Sequence, residues 1–318
     1  MNLSPLLSLL FYAGTPLLAL GLDRWLGEPA RYHPLAGFGH AAMAIERRLH
    51  RYSSKAAQRL SGVLALLVLL VPLLAISVFL LRLPWVGPVF SIVILYFCVG
   101  QQSLHEHARA IKQPLAENDI DGARRSIGRI VSRDTDHMNA TQITRATVES
   151  VLENGNDAVF ATLFWFFLFG APGALLLRLS NTLDAMWGYR TAHYLHFGWA
   201  AARLDDVLGF IPARLTALSY ALQGHTRSAL QCWHTQAKHC ASPNGGVVMT
   251  AGAGTLQVIL GGGASYHGQW QDKPIMGDGA APTADTIERS LALVRHGAWA
   301  WALLWALAAT VWLGWMHA

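Results

Sequence analysis

The run LSGVLALLVLLVPLLAISVFLL, residues 60–81, carries no charged side chain and decides what kind of chain this is. About 20 consecutive apolar residues, at ~1.5 Å rise per helical residue, match the ~30 Å hydrocarbon core of a bilayer. Apolar stretches at 4–22, 84–104 and 297–316 have similar length. The composition agrees: of 318 residues 53% are hydrophobic and only 14% charged, away from the balance of a soluble domain. The first stretch lacks a basic leader, contains Pro5 and Pro16, and has no small-residue cleavage site before Asp23 and Arg24. It reads as a span or a membrane-dipping helix, not as a removable signal.

Basic residues set the expected orientation. Arg24, Arg31, Arg47, Arg48, Arg51, Lys55 and Arg59 crowd the 23–59 loop, whereas only Arg82 follows the second span before Pro84. By the positive-inside bias the 23–59 loop is cytoplasmic and LRLPWVGP, 81–88, is an outer turn. The polar segments 105–157 and 181–296 then face the cytoplasm as well. This topology accounts for the net charge of +5, so no nucleic-acid partner is required. Cys98, Cys232 and Cys240 offer no disulfide framework and read as free thiols. In HEH, 105–107, the histidines point to different helix faces, which argues against zinc there.

The stretch AVFATLFWFFLFGAPGALLLRLS, 158–180, is apolar but interrupted by Gly170, Pro172 and Gly173. Proline lacks the N–H and clashes with the preceding turn, so the segment is read as broken. Either two half-helices, 158–169 and 174–180, form a re-entrant pair, or one kinked helix crosses. The expected fold is all-α: a single polytopic integral-membrane domain over 1–318 with about 4–6 membrane-embedded helical segments, one broken or re-entrant, joined by cytoplasmic polar loops and helices.

Polar islands carry the chemistry. SRDTDHMNATQITRATVESVLENGND, 132–157, places Arg145 and Glu149, and Glu149 and Glu153, four apart on a predicted helix over 141–153. Two like charges at that spacing make sense around a cation or a proton; a solvated helix with an Arg145–Glu149 pair is the plainer alternative. Arg133, Asp134 and Asp136 could cap a helix or ligate a hard cation. Asp205 and Asp206 are adjacent in an apolar helix between Arg203 and Arg214, where magnesium, phosphates or the arginines would offset their burial. The glycine-rich 252–269 region lacks a phosphate-loop pattern and serves equally for helix packing.

Taken in order, these islands resemble one family across nearly the whole chain, the adenosylcobinamide-phosphate synthases (cobalamin biosynthesis protein CobD/CbiB). The matching residues are Gly27-Glu28-Pro29 with His33-Pro34; Arg133-Asp134-Thr135; Arg145, Glu149-Ser150, Glu153-Asn154 and Asp157; Asn181-Thr182-Leu183-Asp184 with Gly188-Tyr189; Ala202-Arg203-Leu204-Asp205-Asp206-Val207 with Pro212-Ala213-Arg214-Leu215; Ser242-Pro243-Asn244; Leu260-Gly261-Gly262; Tyr266 with Gly268; and Lys273-Pro274 with Gly277-Asp278. Two departures stand out. Ala158 replaces the glycine that ends the ENxxDG run, and Met249 falls where an acid is usual.

The resemblance implies a multi-pass inner-membrane ligase with its active site toward the cytoplasm. Such an enzyme uses ATP and Mg²⁺ to join adenosylcobyric acid to (R)-1-aminopropan-2-ol or its O-phosphate. Its partners would be the lipid bilayer, these substrates and other membrane enzymes of late cobalamin assembly. It further implies Asp134, Asp205 and Asp206 as metal ligands. Arg133, Thr135, Arg145, Asn154, Asn181, Tyr189, Arg203, Arg214, Ser242, Asn244 and Lys273 would bind substrate or phosphate, and Glu149, Glu153, Asp157 and Asp184 would be catalytic. Two rival classes fit the same pattern of spans: a polytopic transporter or corrinoid-binding scaffold, and a diverged paralogous ligase with another substrate.

Overall fold

The computed structural model describes residues 5–29, 33–51, 54–131, 133–266 and 268–316. Ser4 at the start of the first expected span, Arg31 in the basic loop and Ser132 at the head of the polar segment lie outside the described residues. The chain is helical, as expected, and divides into two compact units. Unit 1 holds residues 1–100, 161–209 and 300–318; unit 2 holds 101–160 and 210–299.

Unit 1 is built from α1 (Pro5–Leu26), α2 (Pro34–Leu49), α3 (Lys55–Leu81), α4 (Val86–Cys98), α8 (Ala161–Trp187) and α9 (Tyr194–Phe197). Leu60, Leu64, Leu67, Val71 and Phe79 of α3 face outward, and only 22% of its most apolar window is buried, as expected for a lipid-facing helix. The opposite face, with Ala65, Leu66, Leu69 and Leu70, packs on Phe38 and Ala42 of α2, Leu179, Leu183 and Trp187 of α8, and Phe197 of α9. The His33-Pro34 pair starts α2: His33 Nδ1 accepts from Leu35 N–H at 3.2 Å, and Pro34 sits where its missing N–H is harmless. The expected span 84–104 is not continuous, because Val99 takes an extended conformation (φ −81°, ψ 131°) and ends α4 at Cys98.

The apolar stretch after residue 158 breaks at one residue, Gly170 (φ 64°, ψ −152°). The halves fold back on each other, since a Cβ on Gly173 would stand 2.2 Å from the Trp165 carbonyl oxygen, and Ala161 and Leu177 share one core with Leu208. In a straight helix residues 161 and 177 would be about 24 Å apart. Of the two alternatives, the pair of half-helices folded back on each other is the one realised. Tyr12 O–H donates to the Phe166 and Phe167 carbonyls, both at 3.1 Å, serving groups that the break releases from helical bonding.

Among the described residues, four helical stretches are long and apolar enough to cross a membrane: Lys55–Leu81, Val86–Ala116 with its break at Val99, Ala140–Trp187 and Ala284–Trp312. The third, at 48 residues, would measure about 72 Å if straight, more than twice a hydrocarbon core.

Unit 2 contains α5 (Gln101–Ala116), α6 (Ile120–Ile127), α7 (Ala140–Gly155), a π-turn (Asn156–Phe160), α11 (Thr226–Gln236) and α12 (Gly245–Leu256). Two short antiparallel ladders complete it: β1 (Leu260–Gly261) pairs with β4 (Ile275–Met276), and β2 (Ala264–Tyr266) with β3 (Gln269–Gln271). Asn139 caps α7 in a reciprocal capping box with Gln142. Ile111, Ala123, Ile127, Met138, Ile143 and Ala146 form one core of this unit. The helices α10 (Trp199–Ala221) and α13 (Ala284–Met316) include residues of both units.

The expectation of a polar region over 181–296 needs amending. Val207, Phe210, Ile211, Leu215, Leu218 and Leu222 make an exposed apolar stripe along and just past α10, whereas eleven residues of α12 are buried.

Candidate active site

The solvated-helix reading of residues 141–153 fails, because every residue from Ala146 to Leu152 is buried, Glu149 included. Nor does Glu149 pair with Arg145. Glu149 Oε2 accepts from Arg133 Nη2 at 2.7 Å, and Glu149 Oε1 accepts from the Gly261 N–H at 2.7 Å. Arg145 instead donates from Nη1 to the Gly261 carbonyl at 3.0 Å. The Leu260-Gly261-Gly262 motif thus ties its backbone to Arg145 and Glu149 of α7. Only glycine suits position 261, where φ is 74° and a Cβ would stand 2.0 Å from the Pro274 carbonyl oxygen. Burial alone would disfavour a charged Arg133, but the facing Glu149 carboxylate outweighs it and raises the arginine's pKa further.

Beside this pair opens a cleft of about 510 Å³, lined among others by Arg133, Glu149, Glu153, Asn154, Ser242 and Lys273. Six of the residues singled out from sequence therefore meet in one place. Glu153 reaches the first turn of α12: its Oε1 would lie 2.3 Å from a Cβ on Gly245, so a larger residue there would displace the Glu153 carboxylate. Ser242 Oγ accepts from the Gly245 N–H at 2.9 Å and caps the same end. The amide-rich start of a 12-residue helix favours anions, both the Glu153 carboxylate and any phosphate or carboxylate brought there. Burial, and then the like charge of Glu149, raises the Glu153 pKa, with Lys273 and Arg133 acting the other way.

Lys273 Nζ donates to Tyr266 O–H and lies 4.7 Å from that ring's centre, which places the β2 tyrosine and the residues after β3 on one wall. Asp134 binds that hairpin: its N–H donates to the Ser265 carbonyl at 2.8 Å, and its Oδ2 accepts from Ser265 Oγ at 2.9 Å and Gly268 N–H at 2.8 Å. Asp134 thus organises the hairpin, a role distinct from the expected metal ligation. Thr135 lines a separate shallow cleft with Arg124, Arg125 and Arg129. Asp157 accepts from Asn156 Nδ2 at 2.8 Å within the π-turn, while Asn156 Oδ1 accepts from Thr216 Oγ1 at 2.9 Å.

Arg214 brings two motifs together. It donates to Asn244 Oδ1 at 2.9 Å and to the Pro243 carbonyl at 3.2 Å, so the arginine expected on phosphate holds the turn that starts α12.

The remaining expected residues, Asn181, Asp184, Tyr189, Arg203, Asp205 and Asp206, lie in unit 1. Asp206 Oδ2 pairs with Arg203 Nη1 at 3.5 Å, and Asp184 and Asp206 are near enough to feel each other's charge. Asp184 also abuts Gly188, whose N–H donates to the Asp184 carbonyl at 2.6 Å and closes α8. Tyr189 is exposed.

Sequence reasoning missed Cys240, which it left as an ordinary thiol. Cys240 lines the cleft, and burial, followed by the Glu153 and Glu149 charges, raises its pKa. Met249 also lines the cleft, so the departure noted at that position falls on the site itself.

Comparison with known proteins shows what the chain as a whole resembles. The CobD/Cbib protein family model matches residues 16–294. Proteins named cobalamin biosynthesis protein CobD from Chromobacterium violaceum and Stutzerimonas stutzeri are 52% and 50% identical to the chain. The alignments cover 95% and 94% of this chain and 97% of each relative. The protein of the same name from Mycobacterium tuberculosis is 39% identical over 86% of this chain and 88% of its own length. No solved structure matches. With a family model matched over residues 16–294 and relatives aligned almost end to end, the chain belongs to the CobD/CbiB family.

Proposed function

We propose that the chain works in cobalamin biosynthesis as an ATP-dependent ligase, joining adenosylcobyric acid to (R)-1-aminopropan-2-ol or its O-phosphate through an amide bond. The observation that carries this reading is the unit 2 cleft, where the Glu153 carboxylate, the Arg133 and Lys273 cations and the amide-rich start of α12 converge. A carboxylic acid is a poor electrophile, and ATP would supply its activation as an acyl phosphate. The chain's own groups fit the remaining tasks. Glu153 can hold the amine and take its proton at Oε1. Lys273, Asn154 and the first amides of α12 can hold phosphate or carboxylate oxygens. Glu149 positions Arg133 and Gly261 and is not itself available to substrate, since both its oxygens are engaged.

Asp184 and Asp206 lie near enough to feel each other's charge, and their oxygen donors would suit a hard cation such as Mg²⁺. The pairing of Asp206 with a largely exposed Arg203 is weak enough to be exchanged for one.

The test uses purified full-length protein in detergent with ATP, Mg²⁺, adenosylcobyric acid and each amine. ATP-dependent amide product supports the ligase. Saturable corrinoid flux into proteoliposomes without product supports a transporter, which the folded-back hairpin at Gly170 favours. Product only with a different amine supports a diverged ligase, a reading favoured by Met249 in the cleft wall.

A further inference from the structure

Unit 1 contains a second cluster of chemically competent side chains that none of the motifs above include. Glu46 and His50 are four residues apart, on one face at the end of α2, and His193 comes from the turn before α9. His193 Nε2 stands 3.1 Å from Glu46 Oε1, and one ligand atom from each of the three residues can be chosen so that all lie within 4.8 Å of one another. The edge of a tetrahedron with metal–ligand bonds of ~2.1 Å is about 3.4 Å, so the Glu46–His193 separation already fits and the third needs only a small side-chain closure.

The cluster is supported from behind. Trp187 Nε1, at the end of α8, donates to Glu46 Oε2 at 3.0 Å and fixes the carboxylate. Phe197 stacks on the His50 ring with centroids 4.8 Å apart, and the His50 and His193 rings are 4.3 Å apart. A plain Glu46–His193 ion pair would explain one contact only. It leaves His50 Nδ1 buried with no hydrogen-bond partner among the described residues, a costly state for a polar ring nitrogen.

We propose that Glu46, His50 and His193 bind a divalent transition metal of the zinc class, with Trp187 orienting the carboxylate as an outer-shell partner. Two imidazoles and one carboxylate are the donors such borderline ions prefer, and three protein ligands leave a fourth position for water. The ion clips the 188–198 segment, which follows the Asn181–Asp184 motif, to the end of α2. It is a site separate from any oxygen-ligated magnesium, and the inference does not rest on the ligase reading.

The experiment uses full-length protein carrying an affinity tag without histidines, stripped with a chelator in detergent, then titrated with Zn²⁺ against a chromophoric chelator. Elemental analysis after desalting gives the stoichiometry. One tightly held zinc per chain is expected. His193→Ala and Glu46→Gln should each weaken binding by more than about a hundredfold, beyond the 10–100-fold typical of outer-shell changes. His107→Ala, on the exposed face of α5, should change nothing. His193 is exposed, so its loss removes a ligand without cutting the core, and size-exclusion profiles report whether each variant stays folded. Zinc-dependent elevation of the thermal midpoint in the parent, lost in His193→Ala, gives a second readout. The proposal is overturned if the parent retains no zinc, or if the His50→Ala/His193→Ala double variant binds it as well as the parent.

Discussion

Glu149→Gln is the substitution whose effect follows most directly from the geometry. It preserves volume but leaves one acceptor oxygen where two were in use, one toward Arg133 and one toward the Gly261 N–H. Because Arg133 and Glu149 are only 14% and 6% exposed, the arginine's charge loses its partner in a place water hardly reaches. Breaking one member of such a buried pair costs about 3–5 kcal/mol. If the amide turns its oxygen to Arg133 instead, the Gly261 N–H is stranded at about 1–3 kcal/mol. At ~2–4 °C per kcal/mol for a unit of this size, the larger penalty lowers the thermal midpoint by roughly 6–20 °C. Intrinsic fluorescence of the 12 tryptophans follows unfolding in detergent. Adding Arg133→Met removes the stranded charge and should recover about 2 kcal/mol, a coupling typical of contacting pairs. A Glu149→Gln protein melting within about 2 °C of the parent but without activity would refute the argument and make Glu149 a reacting carboxylate. A double variant no more stable than Glu149→Gln would deny that the two residues act as a unit.

Three further outcomes are expected. Gly261→Ala forces a Cβ onto the Pro274 carbonyl oxygen at positive φ, so membrane-embedded yield should fall and the midpoint should drop by the equivalent of at least ~2 kcal/mol, measured by the same fluorescence melt. Cys240 should alkylate more slowly than a free cysteine at about pH 8, since burial and the Glu153 and Glu149 charges raise its pKa and only the thiolate reacts. Glu153→Gln removes one of those charges, lowers that pKa and should speed labelling, followed by mass spectrometry, while slowing amide formation by about a hundredfold. Asp206→Asn breaks only a half-exposed pair with Arg203, so stability should change by less than ~1 kcal/mol. If Asp206 holds magnesium, turnover should still fall by about a hundredfold, and the ATP-dependent amide assay decides.

Much of the architecture was legible because its causes are local. An uncharged apolar run cannot sit anywhere but in lipid or a core, and Gly170-Ala171-Pro172-Gly173 cannot continue a helix, so α3 and the broken α8 could be read directly. The stop of α4 at Val99 was not read, although Gln101-Gln102-Ser103 already leaves the apolar run there. In the site, Arg133, Glu149, Glu153, Asn154, Ser242 and Lys273 were each singled out, but neither their convergence apart from the other candidates nor the pairing among them was legible. Spacing suggested Arg145 as the partner of Glu149, four residues back; tertiary folding offered Arg133 and the Gly261 N–H instead. Arg214 looked like a phosphate ligand beside two acids, yet it holds Asn244 and Pro243, which are distant in sequence. The Glu46–His50 spacing was the one signal of the unit 1 cluster, and without His193 beside it that signal was too common to use.

The bond between Glu149 and Gly261 joins residues 112 positions apart. A ribosome adding ~5–20 residues per second reaches Gly261 roughly 6–20 s after Glu149. Arg133 is already made when Glu149 emerges, so the ion pair can form early while its second anchor is still unsynthesised. For those seconds α7 carries an acid whose final burial depends on sequence not yet translated. During that interval the nascent chain is most exposed to quality control, and a pause in translation between residues 149 and 261 would lengthen it.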